Sequence, residues 1–182
     1  MRLAIERLHD LIPLRDVINQ YGLTAKKSLG QHFLLDKNLN DRIVRTALGK
    51  NLDLSNYTII EIGPGPGGLT RSLLLEGADN IIAIEKDTRA ISALTELVTI
   101  ASGKLILLNE DALKVSISIM GSSPRRIIAN LPYNIATKLI INWLRTPTAF
   151  QSITVMVQKE VAQRICAEPK TSEYGRLSII TQ

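Results

Sequence analysis

Between Tyr57 and Gln158 the chain alternates short unbroken apolar runs with stretches of helical periodicity. The runs are "YTIIEIG", "NIIAIE", "KLILLN", "RRIIANLPY" and "SITVMVQ". Helices are expected from Gly68 and from Asp87, a helical or loop segment before Arg125, and a helix carrying Ile135, Leu139, Ile140, Trp143 and Leu144. A strand that is apolar on both faces belongs in a sheet covered on both sides. Right-handed crossovers then give an α/β fold, a doubly wound parallel sheet.

Ahead of this region two short helices are expected, the second starting near Pro13 and stopping at Gly22, with Leu14, Val17 and Ile18 on one face. Asp36 caps a further helix that carries Leu39, Ile43, Val44, Ala47 and Leu48, and Gly49 ends it. After the fifth run a helix places Val161, Ile165 and Cys166 in one stripe. Residues 1–24 read as an N-terminal helical extension and 25–182 as the main domain. With 182 residues, 45% of them hydrophobic, the chain can bury one substantial core.

Cys166 is the single cysteine, so no disulfide closes within the chain and no Cys/His zinc spacing exists. A reducing, cytoplasmic setting and no metal are the expectation. Glu6, Asp10 and Asp16 interrupt the first apolar stretch, which argues against secretory and transit peptides, and no apolar run reaches membrane-spanning length. The net charge of +5 is compatible with a polyanionic partner.

Ligands of doubly wound sheets bind beyond the carboxyl ends of the strands. The first strand is followed by "GPGPGG", Gly63 to Gly68, which satisfies a dinucleotide fingerprint and equally the Glu61-x-Gly63-x-Gly65-x-Gly67 pattern of S-adenosyl-L-methionine sites. Pro64 and Pro66 carry no N–H, and each removes a donor that a pyrophosphate would need. The loop therefore suits the phosphate-free cofactor better. Glu85, 24 positions after Glu61, can accept ribose hydroxyls of either cofactor. Asp111, after the third strand, is either an acceptor for an adenine amino group or a helix cap before Ala112.

The fourth strand ends in "NLPY", Asn130 to Tyr133. An exocyclic adenine nitrogen is a poor nucleophile because its lone pair is delocalised, so a methylating site must hold its N–H groups on acceptors. Asn130 supplies one. Pro132 fixes its own φ and biases Leu131 toward an extended backbone, which aims the Leu131 carbonyl as a second. Tyr133 offers a face on which a flipped base can stack, worth roughly 1–3 kcal/mol. Trp143 reads as core, and Lys26, Lys27, Arg125 and Arg126 as solvated charges, the first two placed where RNA phosphate would pass.

With these residues in view, the chain resembles the KsgA-type rRNA adenine dimethyltransferases of the small ribosomal subunit. The likeness is carried by "KKSLGQHFLLDKN", "EIGPGPGGLT", "AIEKD", "NEDAL", "NLPYNIAT" and "VQKEVAQRI…YGRLS", in that order along the chain. It implies a class I, Rossmann-like methyltransferase that uses S-adenosyl-L-methionine to dimethylate two adjacent adenines near the end of small-subunit rRNA. It also implies cofactor contacts from His32, Leu34, Gly63, Glu85, Asp111 and Asn130, with Tyr133 stacking the target adenine.

Members of that family continue past the position of Gln182 through two more strands, a "F-x-P-P-P-K-V" segment and a helical C-terminal domain. The resemblance accordingly implies a C-terminally truncated sheet of about five strands in the order 3-2-1-4-5, whose fifth strand is a hydrophobic edge, and a monomer where the sheet is complete. Alternatives are a catalytically silent RNA-binding or ribosome-assembly module, and the related large-subunit enzymes of antibiotic resistance; a nicotinamide dehydrogenase is the weakest.

Overall fold

The computed structural model describes residues 2–24, 30, 33–49 and 53–182. Five strands, β1 (Thr58–Ile62), β2 (Ile81–Glu85), β3 (Leu105–Asn109), β4 (Arg125–Asn130) and β5 (Ser152–Met156), form one sheet in the order β3-β2-β1-β4-β5. Every pairing is parallel, as the alternation with helices requires. The helices are α1 (Arg2–His9), α2 (Leu14–Gln20), α3 (Lys37–Leu48), α4 (Gly68–Leu75), α5 (Thr88–Ile100), α6 (Ala136–Leu144), α7 (Lys159–Ile165) and α8 (Arg176–Thr181). No helix among the described residues is long and apolar enough to cross a membrane.

The two-residue period of the strands sorts the unbroken apolar runs into two cores. Ile59, Ile81, Ala83 and Ile128 pack on one face with Val44 of α3, Leu73 of α4 and Leu97 of α5. Ile60, Ile62, Ile84 and Ile127 pack on the other with Leu139, Ile140 and Trp143 of α6. Central β1 and β2 are buried throughout, whereas the edge strands are not: Ile106 of β3 is 49% exposed and every residue of β5 is half-buried. An apolar run specifies a strand here but not its depth in the sheet.

Helix starts follow local chemistry. The Asp36 carboxylate accepts from the N–H groups of Asn38 and Leu39 and opens α3, and the Asp87 carboxylate accepts from Arg89 N and opens α5. Gly49 ends α3 at φ +64°. The N-terminal helices are tied to the sheet domain by two guanidinium groups. Arg71 of α4 donates to the Ile12 carbonyl, and Arg89 of α5 donates to that of Gly22 while pairing with Asp87. Val17 and Leu23 complete the contact by packing on Ala90.

Two sequence expectations are corrected. Arg125 and Arg126 are not solvated charges. Arg126 is 7% exposed, donates to the Ala47 carbonyl near the end of α3 and lies 4.1 Å from the Tyr57 ring centre. Arg125 donates to Met120 O, Gly121 O and Ser123 Oγ, closing the turn before its own strand. Cys166 is the C-terminal cap of α7 and is exposed rather than part of an apolar stripe. The connection left as helix or loop before β4 contains a single 3₁₀ turn, Ile117–Ile119.

Gly67 is the tightest point of the loop leading into α4. Its φ is +91°, and a Cβ there would lie 2.7 Å from Leu94 Cδ2. Gly67→Ala is expected to destabilise the protein by about 1–3 kcal/mol through left-handed strain and displacement of Leu94, read as a lower urea midpoint.

Candidate active site

The carboxyl ends of β1, β2 and β4 and the residues just after β3 open into one cleft, closed on its remaining side by Leu34, Asn40 and the start of α4. The glycine loop is its floor. Of positions 63 to 67, Pro64 and Pro66 have no N–H. Gly63 N donates to Ile84 O at 2.9 Å, Gly67 N to Pro64 O at 2.9 Å, and Gly65 N to the Glu85 carboxylate at 3.1 Å. None of these three N–H groups is left for a phosphate. Gly63 and Gly65 have φ of +68° and +55°; a Cβ at Gly65 would lie 2.9 Å from the Phe33 ring, and one at Gly63 would lie 3.2 Å from Pro132.

Glu85 ends β2 and is 7% exposed. One carboxylate oxygen holds Gly65 N, and the other accepts from Asp87 N at 2.8 Å. This single side chain pins the glycine loop to the end of β2. Burial raises its pKa, opposed by these backbone donors.

Asp111 behaves as a local turn cap and a cleft residue at once. One of its oxygens accepts from Leu113 N at 3.0 Å, the other from Lys86 Nζ at 2.9 Å, and these partners hold its pKa below the usual value. No helix follows it.

Glu61, on β1, is 1% exposed and lines the cleft. Thr70 Oγ1 of α4 donates to its carboxylate at 2.7 Å. Burial pushes the Glu61 carboxyl up to about 8; the Thr70 hydroxyl works against the rise and the neighbouring Glu85 adds to it. The folded chain thus holds a proton that the unfolded chain releases near the ordinary value of 4.5. Stability from this group is complete below that value and is lost as pH rises toward 8, at a rate on the order of 1 kcal/mol per pH unit. Urea midpoints of Glu61→Gln between pH 5 and 8.5 are expected to fall less steeply than those of the unaltered protein.

After β4, Leu131 is 1% exposed and donates its N–H to Met156 O, so β5 fixes the turn. Ile135 N and Ala136 N both donate to the Pro132 carbonyl, which starts α6. The Pro132 carbonyl is thereby used within the turn. Asn130, Leu131 and Pro132 line the cleft. Tyr133 is half-buried beside it, its N–H donating to Gly30 O, and is not part of the wall. Leu34 lines the cleft; His32, Lys26 and Lys27 lie outside the described residues.

Sequence reasoning missed Asn40. It is 1% exposed, and its amide nitrogen donates to Leu34 O and Asp36 O, both at 3.1 Å. It thereby fixes the Leu34 segment against Gly68, where a Cβ would lie 2.9 Å from the same amide nitrogen. The available signal was a polar residue in helical register with Ile43, Val44 and Ala47.

The charge of the cleft decides what it can hold. Glu85, Glu110 and Asp111 line it against one ammonium, Lys86, and Glu61 adds a fourth carboxylic side chain that burial keeps neutral. This acidic lining sits in a chain of net charge +5. No three His, Cys, Asp or Glu side chains among the described residues are grouped as metal ligands. The lining opposes a dinucleotide pyrophosphate and favours an organic cation.

The sequence pattern of the ribosomal RNA adenine dimethylases matches residues 22–182. This chain belongs to that family. It is 53% identical over 173 residues to the ribosomal RNA small subunit methyltransferase A of Paramagnetospirillum magneticum, covering 95% of this chain and 60% of that protein. Its likeness to the same-named protein of Rhodospirillum rubrum is 52% over 172 residues, 94% of this chain and 58% of that one. The chain thus spans about three-fifths of the length of these curated relatives.

Among solved structures, a dimethyladenosine transferase from Plasmodium falciparum superposes with a TM-score of 0.68 at 31% identity, over 82% of this chain and 51% of the other. The 23S rRNA methyltransferase ErmE superposes at 0.64 and 28%, over 82% and 55%. The dimethylase fold accounts for the strand order found here, and the glycine loop, Glu85 and Asn130–Pro132 occupy the strand ends where such a sheet binds ligands.

Proposed function

We propose that this chain is the cofactor-binding and catalytic part of an S-adenosyl-L-methionine-dependent methyltransferase that acts in the cytoplasm. Its target would be the exocyclic amino groups of two adjacent adenines near the end of small-subunit rRNA. The observation that carries the reading is the cleft itself, whose acidic lining, with the Gly63, Gly65 and Gly67 N–H groups already used within the fold, suits a phosphate-free sulfonium beside Asn130 and Leu131. The cofactor, when bound, supplies an electrophilic methyl group.

The rest is done by the chain's own residues. Glu85 would accept the ribose hydroxyls and Asp111 the adenine amino group, with Leu34 and Gly63 supplying close backbone contact. Asn130 and the Leu131 carbonyl would hold the N–H groups of the target nitrogen, localising its lone pair for in-line attack, while Tyr133 stacks the flipped base. Water takes the proton once the nitrogen has become acidic. The naming of the relatives at about half identity favours the small-subunit substrate over the large-subunit one.

The test is incubation of the purified chain with methyl-labelled cofactor and small ribosomal subunits that lack the modification, followed by mass spectrometry of the rRNA. Dimethyladenine is the expected product. Unmodified rRNA alongside retained assembly activity would support the silent module instead. Calorimetry with NAD is expected to give no binding.

A further inference from the structure

Glu61 is a buried ionisable group that the proposed chemistry leaves unused. Its carboxyl sits in the cleft floor at the end of the most deeply buried strand, and Thr70 Oγ1 is its one hydrogen-bond partner among the described residues. We propose that Glu61 determines selectivity between cofactor and product, ionising when the cationic sulfonium is bound and taking up a proton when the neutral thioether remains. This rests on the reading of the cleft as an adenosylmethionine site.

The charge balance gives the reason. Methyl transfer breaks the S–CH3 bond and forms an N–CH3 bond, the sulfur keeps the electron pair, and the adenine nitrogen gives its proton to water. The cleft thereby loses one positive charge. An ionised Glu61, itself 1% exposed, is then opposed by burial and by Glu85, with the Thr70 hydroxyl in its favour. A separate proton taken up from solvent restores its neutral form.

The other groups facing Glu61 do not replace it in this role. Glu85 from β2 keeps both oxygens on backbone donors, and Asp111 beyond β3 is neutralised by Lys86. Glu110 is exposed at the rim. Asn130 from β4, Thr70 from α4 and Asn40 from α3 do not titrate; of the carboxylates next to Asn40, Asp41 is turned to Ser72 and Lys37 and Asp36 caps Asn38 and Leu39.

The experiment is calorimetric titration of the chain with S-adenosylmethionine and with S-adenosylhomocysteine, in phosphate and in Tris, whose ionisation enthalpies differ. At pH 7 the methylated cofactor is expected to release most of a proton more than the demethylated product. Its preference should rise about tenfold per pH unit below the Glu61 midpoint. Glu61→Gln is expected to equalise proton release and flatten the preference. Thr70→Val keeps the carboxyl but removes the donor that favours its ionised form, so the midpoint should move to higher pH. Equal proton release for the two ligands in the unaltered chain, a difference that survives Glu61→Gln, or an unmoved midpoint in Thr70→Val each overturns the proposal. Binding of neither ligand would reject the cofactor reading itself.

Discussion

Asn130→Ala is expected to cut methyl incorporation into small-subunit rRNA by roughly 10²–10³-fold, the scale seen when a preorganised polar group at a reacting atom is removed. The side chain stands at the end of β4, paired in register with Met156 of β5 and followed by the buried Leu131. Its place is fixed by the sheet, so truncation should remove the acceptor without moving the turn. Cofactor affinity should fall by no more than about tenfold, one hydrogen bond's worth. Single-turnover methylation and calorimetry on the same preparation separate the two effects. Methylation that survives the substitution would remove Asn130 from the chemistry, and assembly activity that survives while methylation is lost would mark a second role for the fold.

Glu85→Ala should do the opposite, abolishing binding before chemistry is reached. The carboxylate holds Gly65 N and Asp87 N, and in the proposed complex also meets the ribose. Removing it leaves two N–H groups without acceptors in a buried loop and deletes the ligand's own acceptor. Each bond to a charged group is worth about 1.5–3 kcal/mol. The dissociation constant for adenosylmethionine is expected to rise at least about 100-fold, with a measurable drop in thermal midpoint from the freed loop. Glu85→Gln, which keeps one acceptor oxygen, should fall between the two. An alanine variant that binds as tightly as the unaltered chain would show that the loop, not Glu85, carries the affinity.

Much of this architecture was legible because parallel sheets impose a strong pattern. Unbroken apolar runs separated by helical periods admit few topologies once crossovers are right-handed, and strand order places the ligand-binding ends without any coordinate. Helix starts at Asp36 and Asp87 were equally readable, since a carboxylate capping N–H groups two or three residues away is a local event. The place of Asn130, Leu131 and Pro132 in the cleft lining was readable for the same reason, as consecutive residues at a strand end.

What escaped depended on partners distant in sequence. Arg126 looks like any surface arginine until Ala47 and Tyr57 are brought against it. Asn40 looked like one polar residue in a helix, and only the packing of α3 on α4 makes it the anchor of Leu34. Tyr133 follows Pro132 in sequence, but its backbone N–H reaches Gly30 O, a partner the local pattern does not name.

The choice of cofactor shows the division most clearly. Two prolines in "GPGPGG" already weaken a phosphate site, because a missing N–H is a covalent fact independent of folding. That Gly63, Gly65 and Gly67 also use their N–H groups internally, and that four carboxylic side chains converge where the loop opens, are consequences of bringing β1, β2 and the residues beyond β3 together. Local pattern fixes which residues form each strand and where it ends. Burial, and with it the protonation of Glu61 and the charge of the cleft, exists only once those ends meet, because desolvation is a property of the assembled site rather than of any residue in the chain.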